Sequence, residues 1–233
     1  MKLSQVIAPA IELHNTLNPR LWTGENLRPE VRTALLKIAR SFQQFVDIPF
    51  DVEDIIVTGS NANYTYTEHS DLDLHLIVDL SRVECERQAE ELFDTKRLLF
   101  KREHSITIRD IPVEIYVENL NEPVKGAVYS LSKNSWITAP EQQSEPDIDF
   151  GAVERMTRIW GRLIQRAVIH ADLSTCERLM ELLRNYRRMG LNTPAGEFSK
   201  GNLVYKSLRN SGSVEALAVM LDRLHDQKLS ISQ

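Results

Sequence analysis

At 233 residues, 42% hydrophobic and 26% charged, the chain has the make-up of an ordinary globular protein, one large domain or two small ones, whose core requires no staples. A net charge of −5 argues against indiscriminate binding to nucleic acid, whose non-specific part comes from neutralising phosphates, though not against a local basic patch. No run approaches the ~20 apolar residues of a membrane-spanning helix, and Cys85 and Cys176 have no metal-ligand spacing, so reduced thiols in a cytoplasm are expected.

Residues 1–27 carry Pro9, Pro19 and Gly24 without a sustained period and read as an irregular arm holding one short helix. Their opening resembles a signal peptide only faintly, because Gln5 and Glu12 interrupt a short apolar run. Pro29 and Glu30 suit a first helical turn, and Val31, Ala34, Leu35, Ile38, Phe42 and Phe45 keep a helical period to about Val46, with Pro49 as the stop. Strands are expected at Ile55–Thr58 and Asp71–Asp79, with a short helix starting within Asn61–Tyr66; Tyr64 and Tyr66 read as packing residues. Ser81 is the expected cap of a helix to about Phe100, with Ala89, Leu92, Phe93, Leu99 and Phe100 inward.

His104–Ile108 and Pro112–Glu118 read as paired strands around Arg109-Asp110. Residues 119–150, with Pro123, Gly126, Pro140 and Pro146, form the expected boundary and hold two short strands, Ala127–Leu131 and Ser135–Thr138. The spacing then predicts a helix over Phe150–Ala171 with Val153, Met156, Trp160, Leu163 and Ala167 inward. A second runs from a Ser174 cap to Met189, where Gly190 stops it, and two shorter ones come after it, near Lys200–Arg209 and Val214–Gln227. The expected organisation is an arm (1–27), a domain of strands and helices (28–140) and a helical domain (141–233).

The stretch VTGSNANYTYTEHSDLDLHLIVDL, Val57–Leu80, carries the chemistry. Gly59-Ser60 leaves one apolar run, and twelve residues after Gly59 the triplet Asp71-Leu72-Asp73 opens another. Carboxylates at i and i+2 on a strand share a face, and like charges that close repel unless a cation, usually a divalent metal ion, neutralises them. The turn before them offers backbone N–H groups and a hydroxyl suited to polyphosphate. Phosphates facing metal-holding carboxylates imply phosphoryl or nucleotidyl transfer. The bland alternative leaves Asp71 and Asp73 as surface residues of an edge strand. His75, at i+2 from Asp73, reads as a hydrogen-bonded core or rim residue and His69 as a loop residue; Ser60 lacks the adjacent base of a nucleophile.

This arrangement resembles the core motif of the DNA polymerase β-like nucleotidyltransferase superfamily. The resemblance implies an α/β (α+β) fold, a small mixed sheet flanked by helices, here followed by a helical C-terminal part. It implies a third carboxylate on a later strand, which IPVEIYV supplies as Glu114, forty-one residues beyond Asp73. It further implies transfer of a nucleoside monophosphate from an NTP to an acceptor hydroxyl with release of pyrophosphate. Two Mg²⁺ ions, with Mn²⁺ as a substitute, would be held by Asp71, Asp73 and Glu114, and Gly59, Ser60, Asn61 and Ser70 would contact the nucleotide. Many small members carry Arg-Gly four and five residues after the motif glycine, where this chain has Asn63 and Tyr64. The opening TLNPRLWTGENLRPEVRTALLKIA and the closing GEFSKGNLVYKSLRN resemble predicted nucleotidyltransferases encoded by tailed bacteriophages.

An RNA end, a protein side chain, a small alcohol and another nucleotide are the candidate acceptors; neither DNA nor a membrane is expected as a partner. The rivals are a non-catalytic module that binds a nucleotide or a partner protein, and a synthase of nucleotide second messengers. Arg155, Arg158, Arg162 and Arg166 recur at +3, +4 and +4, as a solvated helix face or as a stripe facing an anion. Lys96, Arg97, Lys101 and Arg102 cluster where cations complement a helix dipole.

Overall fold

A computed structural model describes residues 11–230 except 49, 83–84, 123, 125 and 143–147, so Pro9, Pro49, Pro123 and Pro146 lie outside the described residues. The fold is α/β. The chain divides into two compact units, Glu12–Ser144 and a second formed from Glu145 onward, which Ile11 joins. No helix among the described residues is long and apolar enough to cross a membrane.

In chain order the first unit contains β1 (Trp22–Thr23), β2 (Asn26–Leu27), α1 (Pro29–Val46), β3 (Val52–Thr58), β4 (Leu72–Val78), α2 (Glu86–Glu103), β5 (Thr107–Ile108), β6 (Ile111–Asn119), β7 (Val128–Ser130) and β8 (Ser135–Thr138). Six strands form one mixed sheet in the order β5-β6-β4-β3-β7-β8, in which only β4 and β6 run parallel. A parallel pair needs a long crossover, and α2 provides it. β5 and β6 meet at a two-residue turn where Arg109 (φ 50°) and Asp110 (φ 63°) are both left-handed, as a type I′ turn requires.

Period-two alternation decides what each face of the sheet buries. Leu72, Leu74, Leu76 and Val78 of β4 join Val57, Ile115, the α1 residues Val31, Leu35, Phe42 and Val46, and Phe93 and Phe100 of α2 in one core. The opposite face presents Asp73 and His75 of β4 beside Glu114 and Tyr116 of β6, all partly exposed. α1 and the buried residues of α2 thus back the apolar face, while Arg97 and Lys101 of α2 reach Tyr116 and Glu114 on the polar one.

The expected irregular arm is instead part of this core. Its described residues include no helix; Trp22–Leu27 form the hairpin β1–β2 around Gly24, and Leu17, Leu21, Trp22 and Leu27 are buried. Trp22 stacks on Trp136 at 4.8 Å and meets the edge of Tyr129 at 5.1 Å. Local patterning shows no sign of this, because the segment is fixed by residues distant in the chain, Asn61 as well as Tyr129 and Trp136.

α2 also differs from expectation. It begins after Cys85, and the Ser81 hydroxyl bonds Asp79 Oδ1 at 2.6 Å within a short 3₁₀ turn rather than capping the helix. Leu99 faces outward, 38% exposed, while Phe93 and Phe100 carry the buried face.

The second unit holds α3 (Phe150–His170), α4 (Leu173–Leu191), α5 (Lys200–Asn210) and α6 (Ser213–Leu229). The carboxylates of Asp149 and Asp172 and the hydroxyl of Ser199 accept from backbone N–H groups at the starts of α3, α4 and α5. Asp172, not Ser174, is therefore the cap of α4, and Gly190 lies inside that helix instead of ending it. Its role is close packing: a Cβ at Gly190 would stand 2.4 Å from Ser199 Oγ, and one at Gly201 2.3 Å from the Tyr186 carbonyl oxygen. On α3, Ile164 takes the buried place expected of Leu163, which is exposed.

Candidate functional site

The site is built where β3 ends and β4 begins. These strands are antiparallel, with Thr58 opposite Asp73, so the chain leaving β3 passes directly by the Asp73 carboxylate. Gly59 makes that passage at φ 76°, and a Cβ there would lie 1.9 Å from Asp73 Oδ2. Only glycine both tolerates the left-handed backbone and leaves the carboxylate its place.

The segment from Ser60 to Ser70 starts with a single 3₁₀ turn, Ser60–Ala62, and is tied back onto itself. The Ser60 hydroxyl donates to Ser70 Oγ at 2.9 Å, and Ser70 Oγ also accepts from the Thr67 N–H at 2.9 Å. Asn61, almost fully buried, donates its amide to the carbonyls of Ser70 at 3.2 Å and Asp71 at 2.8 Å. In turn it accepts from Asn18 at 2.8 Å through Oδ1 and from the Trp22 indole at 2.8 Å through its own carbonyl. Asn61 and Ser70 therefore face inward and fix the loop, while Ser60 keeps partial exposure beside Gly59. Asp71 immediately precedes β4, so it starts the strand rather than lying within it, and it is partly exposed like Asp73. His69 lies in the exposed loop, as expected.

Parallel pairing of β4 and β6 sets Asp73 directly beside Glu114 and His75 beside Tyr116. Along α2, residues four apart are separated by about 6 Å of axis; along β6, residues two apart are separated by about 6.6 Å. That near-equality lets one helix face read one strand face. Arg97 stands over the Tyr116 ring, 4.9 Å from its centroid, and Lys101 pairs with Glu114 Oε1. The Tyr116 hydroxyl donates to Glu114 Oε2 at 2.6 Å, and the His75 ring stacks on Tyr116 at 4.7 Å.

Electrostatics are set by this geometry. Burial, the hydrogen bond given to Glu114 and the negative charges of Glu114 and Asp73 push the Tyr116 phenol far above its ordinary value, against a smaller opposing effect of Arg97. Tyr116 therefore stays a protonated donor. His75 Nδ1 comes within 3.2 Å of Glu118 Oε1 and holds that carboxyl below the usual range, against burial. This places His75 among rim contacts, as its strand position suggested.

Asp71 and Asp73 offer hard oxygen donors, and Mg²⁺ is commonly held by one or two carboxylates together with substrate phosphates. The pair fits such an ion on its donor chemistry. Among the described residues, however, no three His, Cys, Asp or Glu side chains converge into a metal-holding group. Glu114 is adjacent in register, but Lys101 and Tyr116 engage its two oxygens. It fits as a third ligand only once Lys101 lets go.

The strand pairing thus brings Gly59, Asp73 and Glu114 together, with Ser60 and Asp71 flanking them. The sequence offers Arg97 and Lys101 only as cations at a helix end, gives Tyr116 no role at the site, and gives no sign of the supporting Asn18 and Trp22. The signal for the first three was present as matching i, i+4 and i, i+2 spacings, but it is meaningful only once α2 and β6 are known to run side by side. No protein-family model matches the chain, and neither a curated protein nor a solved structure matches it.

Proposed function

We propose that the chain is a nucleotidyltransferase that moves a nucleoside monophosphate from an NTP to a hydroxyl of an acceptor, in the manner of the DNA polymerase β-like enzymes its motif resembles. One observation carries the reading: Asp73 and Glu114 are neighbours in register, and Gly59, directly after β3, is pressed against the Asp73 carboxylate. Metal-dependent transfer calls for this combination of carboxylates beside a glycine turn whose backbone can face phosphate.

In this reading the backbone at Gly59 approaches the triphosphate closely, and the Ser60 hydroxyl donates to one of its oxygens. Mg²⁺, or Mn²⁺ in its place, would be held by Asp71 and Asp73, with Glu114 joining them, and would supply charge for the triphosphate oxygens and a lower pKa for the acceptor hydroxyl. Glu114 orients that hydroxyl and takes its proton. The acceptor oxygen then bonds to the α-phosphorus as the bond to the leaving pyrophosphate breaks. Asn61, Asn18 and Trp22 act at one remove, holding the loop against the start of β4. Positioning and charge neutralisation provide most of the acceleration.

The test is to incubate the protein and its Asp73→Asn variant with Mg²⁺, each labelled NTP and cell extract, following both pyrophosphate and the fate of the label. Asp73-dependent pyrophosphate release with label on one acceptor class is expected; product without added extract would indicate a second-messenger synthase. Nucleotide binding without turnover under all conditions would favour a non-catalytic nucleotide-binding module. The engagement of both Glu114 oxygens is the observation in that rival's favour.

A further inference from the structure

In the nucleotidyltransferase reading, on which the role of Lys101 rests, Glu114 has to receive a metal ion or a proton. Yet its two oxygens are engaged by two different kinds of group. Tyr116 gives Oε2 a neutral hydrogen bond at 2.6 Å, which orients a carboxylate without cancelling its charge. Lys101 gives Oε1 a full positive charge. An ammonium is a compact cation with donors only, so it stands in for the charge a divalent ion would bring.

Mobility is unequally divided between the partners. The Lys101 side chain is 61% exposed and the Glu114 side chain 21%. Lys101 can retreat into water on a flexible stem. Glu114 is pinned through Tyr116, whose ring is itself contacted by Arg97 at 4.9 Å and by His75 at 4.7 Å. Withdrawal of Lys101 would therefore leave the carboxylate where it is, beside Asp73. The opposite arrangement, an exposed carboxylate and a pinned cation, could not release the site so readily.

We infer that Lys101 is a removable counter-ion of Glu114: it neutralises the third carboxylate in the metal-free molecule and has to leave for the site to load fully. Asp73 and Glu114 side by side repel, and the Lys101 ammonium offsets part of that repulsion before a metal arrives. Metal binding and the Lys101–Glu114 contact are then reciprocally linked, each disfavouring the other. Lys101 is a positioning residue here, and Arg97, one helical turn earlier, keeps Tyr116 and hence Glu114 in place.

Mn²⁺ binding followed by electron paramagnetic resonance, with a non-hydrolysable NTP analogue present, tests this on the full chain alongside metal-free melting curves. Lys101→Met is expected to bind the more weakly held Mn²⁺ roughly fivefold more tightly, the upper end of what an exposed ion pair is worth. The same variant should melt lower than wild type without metal, and Lys101→Arg should restore wild-type behaviour in both measurements. Unchanged or weaker Mn²⁺ binding by Lys101→Met, with wild-type binding intact, overturns the counter-ion role and leaves the nucleotidyltransferase reading standing. A wild type that binds Mn²⁺ no better than Asp73→Asn overturns that reading and the linkage with it.

Discussion

Asp73 and Glu114 stand opposite one another in the parallel register of β4 and β6, two carboxylates on one face of neighbouring strands. Like charges placed so destabilise a sheet, on the scale of the roughly 0.2–1 kcal/mol that cross-strand pairs contribute. Lys101 sets its ammonium on Glu114, so neutralising Glu114 also loses an ion pair.

Asp73→Asn is expected to abolish transfer and to leave the metal-free melting temperature unchanged or higher, because a repulsion is removed. Asp71→Asn should likewise abolish transfer with the fold intact. Glu114→Gln should lower the metal-free melting temperature, because the Lys101 pair is lost. It should also cut turnover by ~10²–10⁴ while NTP binding persists, as expected of a general base. Melts without metal, turnover, and titration with a non-hydrolysable NTP check the set; full activity in either aspartate variant would sink the site.

Gly59 offers a test with an internal control. Gly59 (φ 76°) and Gly24 (φ 59°) are both left-handed, but a Cβ at Gly24 meets nothing within 4 Å. Gly24→Ala should cost about 1–2 kcal/mol, the penalty of the backbone alone. Gly59→Ala carries a larger backbone penalty, because φ 76° with ψ −165° is a region that essentially only glycine enters, and it also forces the Asp73 carboxylate aside. Its loss of stability in urea should exceed that of Gly24→Ala, and NTP binding should fall only at Gly59. Equal effects at the two positions would separate Gly59 from the site.

Much of the fold was legible because periodicity is local. α1 ends at Val46 and β8 spans Ser135–Thr138, as expected from their own residues. Gly59 and the two aspartates were legible for the same reason, as a short spacing between apolar runs. What escaped depends on partners distant in sequence. Trp22 looks like a loop residue until Asn61 and Trp136 meet it. Lys101 looks like an ordinary C-terminal helix cation until β6 is laid beside α2. Ser81 and Ser174 failed as caps because neighbouring groups decided the contest: Asp79 held the first hydroxyl, and Asp172 supplied the cap of α4.

Glu118 yields a pH prediction. The nearby His75 holds its folded-state carboxyl below the usual range, so the unfolded chain takes up the proton at higher pH than the folded one does. Its stabilising contribution is complete above the unfolded carboxyl pKa and disappears as pH falls through the lower, folded value. Glu118→Gln should therefore flatten part of the acid side of the melting-temperature profile and leave the alkaline side parallel to wild type. Melting curves from pH 3 to pH 8 decide it, and an identical acid slope in the variant would count against the His75 contact.

The arginines of α3 can be tested against their simplest explanation. Arg155, Arg158, Arg162 and Arg166 are all exposed, opposite a buried face of Ala152, Val153, Thr157, Ile164 and Ala167. Arg155 lies 3.7 Å from Asp149, and Arg158 pairs with Glu154 one turn earlier, so two of the four have local acidic partners. Exposed pairs of this kind contribute little, and a surface change usually shifts stability by less than ~1 kcal/mol. Arg158→Gln with Arg162→Gln should accordingly leave stability within that limit and KM unchanged, with parallel curves of KM against ionic strength. A raised KM with a flatter salt dependence would instead mean that fewer counterions are displaced by phosphate, and would make this helix face part of the binding surface.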